Sequence, residues 1–495
     1  MTGRLNSAAL ASLAPTVARP GYDRARLAPG IVHLGVGAFH RAHQAAYTDA
    51  ALAQPGAPLD WGIVGVSLRS PTTRDALGPQ DGLYTIAVRD GADTRLQVVG
   101  ALTRLLVMPE DPEAVLAALA DAATRVITLT VTEKGYCHDP ATGTLDEARP
   151  EVVADIASPR APATAIGVLV EGLRRRRDAG LPPATVVCCD NLPSNGAVVR
   201  RVVLRLAELV EPALARWIGD HVTFPCTMVD RIVPATTDAD RSEVAGLLGV
   251  EDRWPVMTEP FTQWVIEDAF CGSRPDWAAA GAQFVGEVEP FEQMKLRLLN
   301  ASHSTMAYLG YLAGYATIAQ TIGDPAFARL VRALMDAEMT PTLSLPPGVD
   351  LTAYKDALIA RFGNPALKHT TYQIAMDGSQ KLPQRLLAPA RRRLAAGQPI
   401  GRIALAVAGW MRYAAGVDEA GNPIAVQDPL ADTLKQRAAP ALGDAEAMAK
   451  ALLGVPQVFG SDLAAAPGFV DPVVAALKAI LAGGARAAVE AAAKL

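Results

Sequence analysis

Ile31-Val-His-Leu-Gly-Val-Gly37 is an apolar run that ends in a glycine turn, and Phe39-His-Arg-Ala-His-Gln44 follows it. A run of this kind, with no polar alternation, suits a strand covered on both faces, as in a parallel sheet. Working outward, the same grammar repeats at Trp61–Val66, Val126–Val131 and Thr185–Cys189. Tyr84–Val88 and Leu96–Leu102 read as short alternating strands. Helical patterns lie between, at Pro112–Ala123, Ala163–Ala179 and Asn195–Val210. The order strand, helix, strand, helix predicts an α/β, Rossmann-type doubly wound domain.

From about Pro290 the period changes. Helical patterns take over at Phe291–Tyr315, Pro325–Met339, Leu351–Phe362, Pro365–Met376, Leu382–Ala396, Ile403–Ala415 and Asp471–Lys494. Pro and Gly mark the connections, as in Leu345-Pro-Pro-Gly348. The expected organisation is a doubly wound α/β domain over residues 1–288 and a mostly α-helical domain over residues 289–495.

Composition narrows the function classes. The 495 residues carry 46 Lys and Arg against 51 Asp and Glu, a net charge of -5. With no block of five like charges, nucleic acid is not an expected partner. No apolar run is read as long enough to span a bilayer, so no membrane partner is expected either. The stretch from Met1 to Pro20 makes a poor signal peptide. Five cysteines without a CxxC pair point to a reducing, cytoplasmic setting. A small-molecule substrate, and a monomer or small homo-oligomer, are the expectations.

In a Rossmann unit the first glycine of such a turn makes the bend, and the second lets backbone approach a pyrophosphate at a helix N-terminus. Gly35 and Gly37 fit those positions, but His40 stands where the third glycine belongs. A plain strand-to-helix turn is the competing reading. His40, Arg41 and His43 beside the turn are read as phosphate or substrate contacts. A metal is not expected, because His40 and His43 lack a third ligand nearby. At the end of the second strand no acid precedes Asp75, so Arg69, Ser70 and Arg74 are candidates for a 2′-phosphate.

Phe291-Glu-Gln-Met-Lys-Leu-Arg-Leu-Leu-Asn-Ala-Ser-His303 is the second informative stretch. On an α-helix Lys295, Asn300 and His303 would span roughly 140° of the circumference. An apolar setting disfavours a charged lysine, which makes it a competent general base. An amide can donate to a developing alkoxide, and a histidine can orient a substrate. A lysine at the rim of an amphipathic helix is the plain alternative. Asn191, in Cys189-Asp-Asn-Leu-Pro-Ser-Asn195 past a strand end, is another candidate oxyanion donor, with Ser194 or Asn195 as a helix cap.

Six ordered motifs then carry a resemblance. They are Gly35-x-Gly37-x-Phe-His-Arg-Ala-His43, Thr130-Val-Thr-Glu-Lys-Gly-Tyr136, Cys189-Asp-Asn-Leu-Pro-x-Asn195-Gly, Phe224-Pro-x-Thr-Met-Val-Asp-Arg-Ile232, Glu259-Pro-Phe-x-Gln-Trp-Val-Ile-Glu-Asp268 and Lys295-x-x-x-x-Asn300-x-Ser-His303. Together they resemble the mannitol dehydrogenase family, the long-chain, zinc-free polyol and sugar-acid dehydrogenases. The resemblance runs from about Arg19 into the C-terminal helices.

The resemblance implies that residues 1–288 are a Rossmann-type dinucleotide-binding domain and residues 289–495 an all-α substrate and catalytic domain, with an active site in the cleft between them. It implies hydride transfer between a secondary alcohol and NAD, with no metal. Lys295 matches the catalytic base, Asn191 and Asn300 the pair holding the substrate oxygen, and His303 the substrate-orienting residue. Asp230 and Lys381 match substrate positions, and Glu292 matches a residue of the proton exit. Gly35, Gly37, Phe39, His40, Arg41, Arg69 and Ser70 are the expected cofactor contacts. Two departures stand out. Ala301 replaces a glycine, and Pro71 and Thr72 stand where strict NAD users carry acids, so NADP is also possible.

The family has a branch acting on neutral polyols (D-mannitol to D-fructose) and one acting on sugar acids (D-mannonate to D-fructuronate). Lys134 in Thr132-Glu-Lys-Gly135, Gln373 where the polyol branch tends to carry Arg, and Tyr372 through Arg385 resemble the second. A substrate carboxylate needs a cation, which Lys134, Arg231, Lys381 or Arg385 would supply. The favoured expectation is the sugar acid, with the polyol as the alternative. A nucleotide sensor that lost its chemistry, a Schiff-base lysine enzyme and a scaffold are disfavoured, because the whole constellation is present and no repeat is visible.

Overall fold

The computed structural model describes residues 3–139, 142–346 and 348–494; Pro347 of the Leu345–Gly348 connection lies outside them. The chain parts into two compact units, Met1–Glu289 and Pro290–Leu495.

Among the described residues the first unit carries eleven strands: β1 Pro29–Leu34, β2 Gly62–Ser67, β3 Tyr84–Asp90, β4 Asp93–Val99, β5 Leu102–Val107, β6 Val126–Leu129, β7 Thr185–Cys188, β8 Thr227–Asp230, β9 Val256–Thr258, β10 Gln263–Glu267 and β11 Gln283–Val285. The main sheet has the order β5-β2-β1-β6-β7, and all its pairs are parallel. This is the doubly wound order, and the switch point falls between β1 and β6, where the ligand crevice of such sheets opens. Every residue of β6 and β7 is buried, which is why their sequences are continuous apolar runs.

Leu96–Leu102 does not form one strand as expected. Gly100-Ala101 divides it, so that β4 pairs with β3 in a small side sheet while Leu102 opens β5 on the main sheet. The sequence reading also omitted β8 to β11. These strands are three to five residues long, too short to show a period.

Among the described residues every regular element of the second unit is a helix. Its centre is the helix Gly401–Ala414, buried along most of its length and packed by the helices Ala301–Leu312 and Pro467–Ala492. Pro467–Ala492 corrects the expectation of no span-length apolar segment. By length and composition it could cross a membrane. One apolar stripe, including Phe469, Val473, Leu477 and Ile480, lies in the core, and alanines fill much of the outer face. That is the pattern of a core helix with an Ala-rich outer face.

The expected continuous α-helix over Phe291–Tyr315 is also interrupted. An α-helix over Glu289–Met294 gives way to a π-helix over Lys295–Asn300 and returns to α over Ala301–Leu312. Two more π segments cover Leu334–Met339 and Pro383–Leu387.

Candidate active site

The glycine turn is built as a Rossmann turn. Gly35 has φ +97°, and a Cβ there would lie 2.1 Å from the Thr130 carbonyl oxygen, so only glycine fits. Gly37 is different. Its φ of -85° suits any residue, and a Cβ would meet only the Gly35 oxygen, at 3.8 Å. The protein's own packing does not require glycine at 37. The space it leaves is on the outside of the turn, where a pyrophosphate approaches backbone. The turn therefore fits a dinucleotide.

The residues after the turn hold it from inside. His40 takes the third-glycine position, and its ring stacks on His33 of β1 with centroids 3.3 Å apart. His33 reaches Thr128 Oγ1 at 2.7 Å and Thr130 Oγ1 at 2.9 Å. Burial pushes His33 down to about 3, and burial with the neighbouring His33 holds His40 far below its usual range. Both rings are neutral packing elements. Arg41 is buried and donates to the Trp254 carbonyl, and His43 Nε2 lies 2.9 Å from the Gln263 carbonyl. The three residues read as ligand contacts are thus engaged within the unit. Past β2, Arg69 and Ser70 are exposed, while Arg74 pairs with Asp75 and Glu110.

At the carboxyl ends of β6 and β7 a half-buried acid organises two loops. Asp190 Oδ2 accepts from Val131 N (2.7 Å), Thr132 N (3.2 Å) and Tyr136 Oη (2.6 Å). Burial raises this carboxyl to about 6. Thr132 sits at φ +65°, an uncommon conformation for threonine that the tether maintains. Asn191 and Lys134 are exposed at this edge. The expected side-chain cap is not formed: Ser194 holds the N-cap position without a capping bond, and Asn195 is the first residue of the helix Asn195–Val210. Fully buried, its Nδ2 donates to the carbonyls of Cys188, Asp190 and Thr227, and its Oδ1 accepts from Thr227 N and Gly196 N. It fastens β7 to β8. Asp230 ends β8 and is buried. Arg231 donates to the Ala42 and Glu259 carbonyls, so its guanidinium is a structural brace. Asp190 and Asn195 appeared in the sequence only within a polar turn and a family motif, Asn195 also as a possible helix cap, and neither was read as a brace.

In the helical unit the π segment changes the expected arc. Its bonds close over five residues instead of four. Lys295 and Asn300, five apart, therefore come round to nearly the same face instead of spreading over a wide arc. Lys295 and His303 are each 7% exposed. The His303 ring centroid lies 4.6 Å from that of Phe362 and 5.5 Å from that of His369. Burial first, then His369 and the charges of Arg361, Arg385 and Lys381, holds His303 well below its ordinary value. Burial lowers His369 to about 4. His303 is therefore neutral in a positive field. Lys381 Nζ donates to the Met376 carbonyl at 2.6 Å, and Gln373 is exposed, its Oε1 accepting from Thr370 Oγ1. Arg361 and His369 were not singled out in the sequence. Among the described residues no group of three or more His, Cys, Asp or Glu could hold a metal ion.

Two family profiles cover most of the chain. The mannitol dehydrogenase Rossmann domain matches residues 29–279, and the mannitol dehydrogenase C-terminal domain matches residues 287–481. The chain belongs to the mannitol dehydrogenase family. It is 50% identical to the D-mannonate oxidoreductase of Escherichia coli (strain K12) over 479 residues, 96% of this chain and 98% of that protein. It is 41% identical to the mannitol 2-dehydrogenase of Phaeosphaeria nodorum over 493 residues, 99% of this chain and 85% of that protein. The structure of Pseudomonas fluorescens mannitol 2-dehydrogenase, a ternary complex with NAD and D-mannitol, superposes with a TM-score of 0.89 at 40% identity, covering 99% of each chain. As a member of this family the protein is an oxidoreductase of the secondary-alcohol dehydrogenase class, acting on a polyol or a sugar acid.

Proposed function

We propose that this member of the mannitol dehydrogenase family interconverts D-mannonate and D-fructuronate with NAD, using Lys295 as the general base. The observation that carries the chemistry is the π segment, whose period brings Lys295 and Asn300 towards one face, with a neutral His303 three residues on in the helix that follows. The positive field of Arg361 and Lys381 supports an anionic substrate, since a carboxylate is stabilised where like charges depress a histidine. The 50% identity to a D-mannonate oxidoreductase supports the same branch.

NAD, when bound, supplies the hydride acceptor. The residues at the turn that would hold it are Gly35, Gly37 and Phe39, with Arg69 and Ser70 at the β2 end; His40 and Arg41 keep the turn in shape from behind. In the oxidative direction Lys295 Nζ takes the hydroxyl proton of the substrate as the carbon gives up its hydride. The amides of Asn300 and Asn191 donate to the oxygen as charge grows on it. His303 orients the sugar as a neutral imidazole, and Asp230 and Lys381 complete the substrate contacts. Glu292 passes the proton from Lys295 towards solvent. Reduction runs the same steps backward, with Lys295 as the acid.

The polyol reading keeps a specific support, because the solved relative at 40% identity is a complex with D-mannitol. A matched comparison decides. Purified protein is given D-fructuronate, D-tagaturonate and D-fructose, each with NADH and with NADPH, and the loss of absorbance is followed. Turnover of a keto-acid without turnover of fructose is the expected result. Turnover of fructose alone would replace this reading with a mannitol dehydrogenase. Comparable rates with NADPH would assign Arg69 and Ser70 to a 2′-phosphate.

A further inference from the structure

Of the π segments in the helical unit, Lys295–Asn300 and Pro383–Leu387 pack against each other and form a pair. A π turn has poorer packing and bonding than the α turn it replaces, so it persists only where its surroundings hold it. The surroundings here are specific. Arg385, inside the second π segment, donates from one guanidinium nitrogen to Ser304 Oγ at 3.1 Å and to the Asn300 carbonyl at 3.5 Å. Asn300 is the last residue of the first π segment, and Ser304 lies on the α-helix that follows. On the other side Arg297, within the first π segment and 7% exposed, donates to the Thr342 carbonyl. The second π segment has its own cause. Pro383 continues the helix Gly378–Leu382 without an N–H to donate, and the Ala388 N–H instead reaches back five residues to the Pro383 carbonyl.

We propose that Arg385 is a positioning residue that locks the π register of Lys295–Asn300 and so sets the Asn300 amide and the Lys295 amine on a common face. Its guanidinium grips the exact point where π returns to α. Without it the segment is free to relax towards α spacing, which swings Asn300 away from Lys295 by most of the wide arc an α-helix imposes. Arg385 acts through Asn300, and not by touching the reacting atoms. This inference rests on the assignment of Lys295 and Asn300 given above, and it holds for an acid or a neutral substrate alike.

The test uses the full-length enzyme with Arg385→Ala and Arg385→Lys. Two readouts are combined. The first is steady-state reduction with NADH of whichever ketose or keto-acid the wild type turns over. Arg385→Ala is expected to lose about a hundredfold in kcat, the scale of a displaced catalytic group. KM for the sugar and for NADH should change less than threefold. Millimolar guanidinium should restore part of the rate of Arg385→Ala and none of that of Lys295→Ala. Arg385→Lys, which keeps the charge and one donor, should recover at least tenfold over the alanine variant, and it stands in if Arg385→Ala does not fold. The second readout is amide hydrogen exchange across residues 295–304 without substrate. Faster exchange confined to that stretch supports the lock. A raised sugar KM with kcat unchanged would overturn it and make Arg385 a substrate contact, as would unchanged exchange with unchanged kcat. Because exchange needs no substrate and the kinetic ratio uses any substrate turned over, a wrong sugar assignment leaves this test intact.

Discussion

The glycine turn at 35–37 and the π segment at 295–300 solve opposite problems. The turn lies where a strand ends, so its backbone groups are already free to face a ligand. Nothing regular has to be broken there, and the side chains behind it (His33, His40, Arg41) serve to brace the backbone. The π segment lies inside a helix, where backbone groups are satisfied and side chains follow a fixed period. Functional groups five apart can share a face only if that period is altered. The first kind of site comes with the fold; the second has to be imposed by tertiary contacts.

Four experiments break or sharpen that contrast. The largest effect is expected at the helix. Lys295→Ala should cut kcat by about a thousandfold or more while leaving the dissociation constant for NADH within about threefold. Single-turnover kinetics and a binding titration check both halves, and a kcat near wild type would remove Lys295 as the base.

The two glycines of the turn should separate cleanly. Gly35→Ala meets the Thr130 carbonyl from a left-handed conformation, and about 2 kcal/mol or more of stability should be lost by chemical denaturation. Gly37→Val meets little of the protein, so stability should hold while KM for NADH rises about tenfold. Equal loss of stability in both would show that Gly37 serves packing and not a ligand.

Asp190 tests the brace behind Asn191. Its carboxyl is raised to about 6, against 3.8 for an ordinary aspartate, by burial. Above pH 6 the folded chain therefore carries a charge that the unfolded chain carries more easily. That penalty is full above pH 6 and fades as pH falls towards 3.8. Asp190→Asn should raise the thermal midpoint by a degree or two at pH 8, with a smaller gain at pH 5, and lower kcat about tenfold by loosening the 131–136 loop. A lower midpoint at pH 8 would show that the three donors outweigh the buried charge. The smallest effect is expected from chelation. Dialysis against EDTA should leave kcat within about a tenth of its starting value, and a loss restored by zinc would contradict the metal-free mechanism.

Much of the first unit was legible because burial on both faces writes itself into sequence. Ile31–Leu34, Val126–Leu129 and Thr185–Cys188 are apolar runs because they are central parallel strands. Gly35 was legible because a positive φ and a close carbonyl exclude every other residue. The candidate residues on the second unit were legible as residue types. What they do together was not. Read at the α period, Lys295 and Asn300 fall far apart, and only Arg385, eighty-odd residues on, and Arg297 against Thr342 reveal why the period changes.

The sequence by itself determined the strand order's raw material, the place of the phosphate turn, the change to all-helix near Pro290 and the family motifs. Each depends on local sterics or on a burial pattern that a short window contains. Tertiary structure alone decided that His40 packs where a third glycine was expected, that Arg231 and Asn195 are braces, and that Lys295 and Asn300 share a face. The reason is physical: a side chain's type limits what it can bond to, but which donors and carbonyls reach it is set by chain segments far away in sequence.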